Sequence, residues 1–165
     1  MSDYRRKMSA RHAVAYVFFV PALFLLDRLS KLLVQKFLMY KLPVKVFPFF
    51  YLTYVENTGA AFGVLEDQNA FFTIVSIVLI VVLLVVRRRI FASGPALKWG
   101  ILMVIGGALG NLYDRLTLGC VVDFLDFRIW PVFNLADSFI SMGAGLMAWG
   151  MYRSKEGRLS PKASA

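Results

Sequence analysis

The chain of 165 residues has few of the residues that build disulfides, metal sites and histidine-based catalytic centres. Its one cysteine, Cys120, excludes an internal disulfide and a cysteine-based zinc cluster. Its one histidine, His12, belongs to no H-E-x-x-H motif and to no Cys/His ligand spacing. We therefore expect no metal and no other cofactor. Only ten residues are acidic, so each acid near an apolar stretch needs a specific explanation.

Apolar residues, by contrast, are abundant. They make up 59% of the chain, and the mean hydropathy is +0.65, whereas soluble domains are roughly 45–50% apolar. Four apolar blocks predict helices at about 13–33, 70–86, 96–115 and 134–152, and a spanning helix needs about 20 such residues. The predicted fold class is membrane all-α, with four transmembrane helices. Residues 1–153 would form a single integral membrane domain, and residues 154–165 a disordered cytoplasmic tail.

The basic residues predict the orientation of these helices. Nineteen Lys and Arg give a net charge of +9, and most of them precede the first block, separate the second from the third, or follow the fourth. Because cytoplasmic loops carry an excess of Lys and Arg, both termini are predicted to be cytoplasmic. The charge is thus divided among short anchoring segments, and we expect no nucleic-acid partner.

Two segments then lie on the extracytoplasmic side. The first, at about 41–66, has strand-like alternation between Phe50 and Asn57 together with turn signals, and it predicts a small β-rich platform. An ordinary extracytoplasmic loop with an aromatic belt is the alternative. The second, Leu118 to Phe133, is short, apolar and rich in aspartate, and we expect it to pack back against the helices or to dip into the membrane interface.

Several acids have ordinary structural explanations. Asp27 and Lys31 are spaced i, i+4 and can form an ion pair on one helix face, with Arg28 pointing elsewhere, towards lipid headgroups. Asp114 and Arg115 can form a capping ion pair at the end of the third helix. On the same helix, Asn111 can hydrogen-bond to a neighbouring helix, and Gly106 and Gly110 form a small-xxx-small pattern that permits close helix approach.

Asp123 and Asp137 are harder to explain. Asp123 lies between Val122 and Phe124 with no partner nearby in sequence, and Asp137 is three residues after Asn134, a predicted N-cap. Two carboxylates on the same side of the membrane, in apolar surroundings, could share a proton as in an aspartic protease. Serine–histidine chemistry is unavailable there because His12 is cytoplasmic by the predicted topology.

Two other classes of protein remain open at this point. A small four-helix exporter could use Asp137 as a proton carrier, although a carrier needs its acid near the midplane of the membrane. A non-catalytic scaffold could use the same polar groups only to pack its helices.

Five motifs, in this order, resemble those of the bacterial lipoprotein signal peptidase family (signal peptidase II). They are DRLSK at 27–31, NTGAAFG at 57–63, GGALGNLYDR at 106–115, VVDF at 121–124 and FNLADS at 133–138. The resemblance implies a membrane aspartic endopeptidase that removes signal peptides from diacylglyceryl-modified prolipoproteins, cleaving before the lipidated cysteine. It also implies a multi-pass protein of the bacterial cytoplasmic (inner) membrane, with its active site towards the extracytoplasmic face.

By position, Asp123 and Asp137 match the catalytic pair of that family. The substrate-binding or supporting residues are then Asp27, Lys31, Asn57, Gly59, Asn111, Asp114, Arg115 and Asn134. The expected partners are a lipid-modified prolipoprotein and membrane lipids, and the expected state is a monomer. The chain departs from the family at Arg28, where glutamine is more usual, and in a shorter stretch between the two aspartates.

Overall fold

The computed structural model describes residues 2–59, 67–91 and 94–159. All four predicted helices are present. The first three extend beyond both predicted ends, whereas the fourth begins one residue after its predicted start and extends beyond its predicted end. They are α1 (Ser2–Leu38), α2 (Asn69–Phe91), α3 (Pro95–Thr117) and α4 (Leu135–Leu159). Helix α4 includes residues 154–159, which the sequence predicted to be part of a disordered tail, whereas residues 160–165 lie outside the described residues.

Two helices in the described part of the chain are long and apolar enough to cross a membrane. They are the stretch Asn69–Arg87 of α2, with a mean hydropathy of 2.9, and all of α3, with a mean hydropathy of 1.3. The α2 stretch is mostly exposed and α3 is mostly buried. Helix α3 is therefore the centre of the bundle, and α2 presents its apolar side chains outward.

Glycines allow the other helices to approach α3 closely. Gly106 meets Leu23 of α1, and Gly110 meets the Asp27 carboxylate one turn further along. On the opposite side, Gly100 lies against the backbone of Gly143 in α4. The predicted small-xxx-small pattern is confirmed, since a side chain at these positions would collide with a neighbouring helix.

A three-stranded antiparallel sheet packs against one end of the bundle. Its strands are β1 (Val44–Phe47), β2 (Phe50–Asn57) and β3 (Val121–Asp126), in the order β1-β2-β3. The first two strands lie in the predicted β-rich segment, of which residues 60–66 are outside the described residues. The third lies in the segment that was expected either to pack against the helices or to dip into the interface, and it packs against them as a buried strand.

The sheet is attached to α1 through an apolar cluster. Val34 and Leu38 of α1 contact Val122 and Phe124 of β3, and side chains of β2, including Leu52, cover them. This contact fixes where β3 runs relative to α1, and with it the position of Asp123 between Val122 and Phe124.

The close contact of α3 and α4 gives a prediction about two neighbouring glycines. A Cβ on Gly143 would lie 2.6 Å from the carbonyl oxygen of Gly100 and 2.9 Å from the Cβ of Met103, whereas one on Gly145 meets nothing within 4 Å. We expect Gly143→Ala to lower the stability by about 1–3 kcal/mol, because overpacking forces the helices apart. The matched control Gly145→Ala should be neutral or slightly stabilising, because alanine favours helix. Thermal unfolding in detergent distinguishes them, and equal effects would contradict the packing.

Candidate active site

A buried lysine lies behind the candidate site. The Nζ of Lys31 is 2.8 Å from Asp27 Oδ2, 2.8 Å from Asp114 Oδ2 and 2.9 Å from Asn111 Oδ1, and the Lys31 side chain is 0% exposed. The three donors of its ammonium group thus meet three acceptors. The predicted Asp27–Lys31 pair is confirmed, and Asp114 is a second anionic partner that the spacing did not suggest.

Arg28 completes the charge balance of this group. Its guanidinium forms an ion pair with Asp114 and lies over the ring of Tyr113, with 4.5 Å between Cζ and the ring centroid. Two expectations are therefore wrong: Arg28 does not reach towards lipid headgroups, and Asp114 pairs with Arg28 and Lys31 instead of Arg115. A buried carboxylate is stabilised by the nearest available cations, and here they come from the facing helix α1.

Asp27 and Asp114, the two aspartates paired with Lys31, also accept hydrogen bonds from backbone N–H groups of other elements. Asp27 Oδ1 accepts a hydrogen bond from the Ala136 N–H at 3.0 Å, at the start of α4. Asp114 Oδ2 accepts one from the Val122 N–H at 3.3 Å, in β3. The charged group thereby positions the two segments that carry Asp137 and Asp123.

Asp137 lies in the first turn of α4, where a reciprocal capping box holds it. The Asp137 N–H donates to Asn134 Oδ1 at 2.9 Å, and Asp137 Oδ2 accepts from the Asn134 N–H at 3.2 Å. The predicted capping box is confirmed. Asp137 Oδ1 accepts a further hydrogen bond from the Asn111 amide at 2.7 Å. The two donors to the carboxylate, the Asn134 N–H and the Asn111 amide, together with the helix dipole, stabilise its ionised form against the cost of burial.

Asp123 lies in β3 and is 2% exposed. Its Oδ2 accepts a hydrogen bond from the Asn57 amide at 2.9 Å, and its Oδ1 accepts one from the Asn134 amide at 2.6 Å. The Gly59 N–H donates to Asn57 Oδ1 at 3.0 Å, which orients the Asn57 amide so that its nitrogen faces Asp123.

Burial is the largest influence on the titration of Asp123. Burial, followed by the negative charge of Asp137, raises the pKa of Asp123 above the ordinary aspartate value, whereas the hydrogen bonds from Asn57 and Asn134 lower it. The net direction is upward. Asp123 therefore retains its proton at a pH where an ordinary aspartate is ionised.

Both carboxylates open into one cavity of about 250 Å³. Six of the residues predicted from sequence line it, namely Asn57, Gly59, Asn111, Arg115, Asp123 and Asp137. The other four, Asp27, Lys31, Asp114 and Asn134, are buried beside or behind this cavity. Arg115 is the cation of the cavity, and its guanidinium is 5.5 Å from the centroid of the Phe72 ring.

Asp126, the other aspartate of β3, faces a different environment. It accepts hydrogen bonds from Thr53 Oγ1 at 3.1 Å and from the Arg128 N–H at 2.8 Å, and its carboxylate is 3.4 Å from Arg128 Nε. It does not line the cavity that holds Asp123 and Asp137. It is therefore a suitable control for the catalytic candidates.

Some residues of the site could not be identified from the sequence. The segment from Trp130 to Phe133 forms one wall of the cavity, and Phe72 of α2 forms another. Neither Phe72 nor the segment from Trp130 to Phe133 differs in sequence from ordinary apolar stretches, and only the fold places them beside the carboxylates. For Arg28 a signal existed, since a second cation beside an expected ion pair suggests a second acid.

These features define a class of protein: an apolar helix bundle with a pair of carboxylates in one cavity at its end. Two solved bacterial membrane enzymes have the same fold. One is 26% identical with a TM-score of 0.80, over 92% of this chain and 94% of the other. The second is 28% identical with a TM-score of 0.71, over 83% and 92%.

The chain belongs to the signal peptidase II family, whose model matches residues 19–153. A protein of Pelotomaculum thermopropionicum called lipoprotein signal peptidase is 47% identical over 86% of this chain and 94% of its own length. Proteins of the same name from Halothermothrix orenii and Aeromonas hydrophila are 44% and 45% identical, over 80% and 81% of this chain and 91% and 85% of their own lengths. The predicted resemblance is thereby confirmed, and the chain is a membrane peptidase that processes prolipoproteins.

The buried ammonium gives a prediction about stability. Lys31→Met leaves the Asp27 and Asp114 carboxylates with one fewer cation inside the protein, and we expect a loss of about 3–5 kcal/mol. Lys36→Met, five residues along α1 at an exposed position, is the matched control and should have little effect. The measurement is thermal unfolding of both purified variants in detergent. A Lys31→Met variant as stable as the control would show that the ion-pair group is dispensable.

Proposed function

We propose that Asp123 and Asp137 are the catalytic pair of an aspartic endopeptidase that cleaves diacylglyceryl-modified prolipoproteins just before the lipidated cysteine. The observation that carries the proposal is the shared cavity, into which both carboxylates open while Asn134 hydrogen-bonds to each. Two carboxylates that share a proton can activate water and polarise a peptide carbonyl without a metal or other cofactor.

The different surroundings of the two acids suggest their roles. Asp137, at a helix N-terminus and among N–H donors, is the ionised general base that takes a proton from water. Asp123, whose pKa is raised by burial, is the general acid that donates its proton to the scissile carbonyl oxygen. The hydroxide adds to the carbonyl carbon to give a tetrahedral intermediate. On its collapse the C–N bond breaks, the proton on Asp137 passes to the leaving nitrogen, and Asp123 regains its own.

The supporting residues have positioning or binding roles in this proposal. Arg115 is the cation in the cavity wall and would orient substrate carbonyl groups. Asn57, held by Gly59, and Asn111, held by Lys31, fix the orientations of the two carboxylates. Asp27 and Asp114 act indirectly. Both form ion pairs with Lys31, and they accept hydrogen bonds from the backbone of α4 and β3 respectively.

We further propose that all four helices cross the membrane, with both termini in the cytoplasm and the cavity at the extracytoplasmic face of the bacterial inner membrane. The clusters of Lys and Arg at the opposite end of the helices support this orientation. The lipid anchor of the substrate would remain in the outer leaflet while its signal helix enters laterally. One chain contains every proposed catalytic group, so a monomer is sufficient.

The first test of this proposal is replacement of the two aspartates. We expect Asp123→Asn and Asp137→Asn each to reduce cleavage by at least about 1000-fold, because either change prevents the shared proton transfer. The assay is cleavage of a diacylglyceryl-modified lipobox peptide by purified enzyme in detergent, with thermal unfolding as a folding check. Asp126→Asn is the matched control on the same strand and should remain active. Cleavage by a folded Asp123→Asn enzyme would refute the pair, and inactivity of Asp126→Asn would show that the wrong aspartate was chosen.

The pKa of Asp123 gives a second test, on pH dependence. Activity should fall as the pH rises through the raised pKa of Asp123, because the general acid then loses its proton. The Asn57 hydrogen bond lowers that pKa, so Asn57→Ala should raise it further and move the alkaline limb of kcat/KM to higher pH. Thr53 lies on the same strand as Asn57 but hydrogen-bonds to Asp126. Thr53→Val is therefore the matched control and should leave the alkaline limb in place. An alkaline limb that moves to lower pH in Asn57→Ala would contradict the assignment of the proton to Asp123.

A further inference from the structure

A second and larger cavity, which shares no lining residue with the first, runs along the helix bundle from Tyr16 and Arg87 to Leu109. Its volume is about 490 Å³, and its walls come from α1, α2 and α3. The lining residues on α1 begin at Tyr16, which precedes Asp27 by three helical turns, about 16 Å along the helix axis. The cavity is therefore separate from the one that contains Asp123 and Asp137.

The cavity exists because α1 and α2 do not pack against each other. Along their described residues these two helices have no close backbone approach, and each packs against α3 instead. The floor of the cavity is formed by apolar side chains of α3, including Ile101 and Ile105, and its walls include Val17 and Leu84. Both wall residues are exposed, at 68% and 41%, so the cavity is open towards the surroundings of the bundle.

Two cations lie at the end of this cavity that is remote from the catalytic pair. Arg87, at the end of the apolar stretch of α2, lines the cavity together with Tyr16. Lys98, in the first turn of α3, has its Nζ 6.0 Å from the centroid of the Tyr16 ring. Neither cation forms a salt bridge with an acid of the described residues. A long apolar cleft thus ends at Arg87, with Lys98 nearby, and neither positive charge is paired with an acid among the residues that the structure describes.

We propose that this cleft between α1 and α2 binds one anionic phospholipid of the membrane, with an acyl chain against α3 and the phosphate at Arg87 and Lys98. The chemistry at both ends matches this ligand. Apolar surface exposed to lipid favours a hydrocarbon chain, and basic residues at the cytoplasmic end of membrane helices attract acidic headgroups. A zwitterionic lipid would supply the same chains without the net negative charge.

The experiment is native mass spectrometry of the purified full chain with phosphatidylglycerol and with phosphatidylcholine of identical acyl chains. We expect one molecule of phosphatidylglycerol to bind in preference to phosphatidylcholine. Arg87→Ala and Lys98→Ala should each weaken phosphatidylglycerol binding by about fivefold, the effect of one cation near an acidic headgroup. Arg153→Ala, which removes a basic residue of α4 outside the cavity, is the charge-matched control and should retain the preference.

A second pair of variants tests the cleft itself. Leu84→Trp would fill the cavity and should abolish the bound lipid, whereas Val85→Trp, on the outward side of the same helix, should not. All these variants should still cleave the lipobox peptide, because the catalytic pair is distant. Equal binding of the two lipids by the unaltered protein, or unchanged binding in Leu84→Trp, would overturn the proposal. Neither result would affect the proposed peptidase chemistry.

Discussion

The structure depends on one buried ammonium group. Lys31 is held by acceptors from α1 and α3, and each acceptor in turn holds a further element. Asp27 holds the first turn of α4 through the Ala136 N–H, and Asp114 holds β3 through the Val122 N–H. Asn111, the third acceptor, donates to Asp137. A single side chain thus links the segments that carry both proposed catalytic groups.

Such a group is stable inside the bundle because its charges balance. Lys31 and Arg28 contribute two positive charges, and Asp27 and Asp114 contribute two negative ones. An unpaired buried ion would be costly, and removal of one member would leave another uncompensated. Gly110 belongs to the same arrangement, because a side chain there would occupy the position of the Asp27 carboxylate. The glycine that looked like a simple helix-packing residue therefore also makes room for a charge.

The sequence was sufficient for the features that depend on neighbours in the chain. Hydropathy located all four helices, and the spacing of Asn134 and Asp137 predicted the capping box. The i, i+4 spacing likewise predicted the Asp27–Lys31 pair. Each of these interactions is set by helical periodicity, so a local pattern carries the information.

Features that depend on contacts between distant segments could not be predicted in this way. Arg28 and Asp114 are 86 positions apart, and nothing in either local sequence specifies the pairing. Strand β3 is buried almost throughout, so it lacks the alternation that marks a half-exposed strand. Two helices, α2 and α3, separate it in sequence from its partner β2, and only the assembled bundle brings the two strands together.

The same distribution of charge supports the proposal that Asp123 and Asp137 share a proton. Among the described residues, no Lys or Arg forms a salt bridge with Asp123 or Asp137. Lys31 already meets three acceptors, and Arg28 is paired with Asp114. If either cation contacted the pair directly, both carboxylates would ionise and no acid would remain to protonate the carbonyl. Instead, neutral amides of Asn57, Asn111 and Asn134 contact the two carboxylates and orient them without adding a positive charge. The ion-pair group behind the cavity thus supports the proposed catalysis in two ways, by positioning the strands and helices and by keeping Lys31 and Arg28 from contacting the two carboxylates.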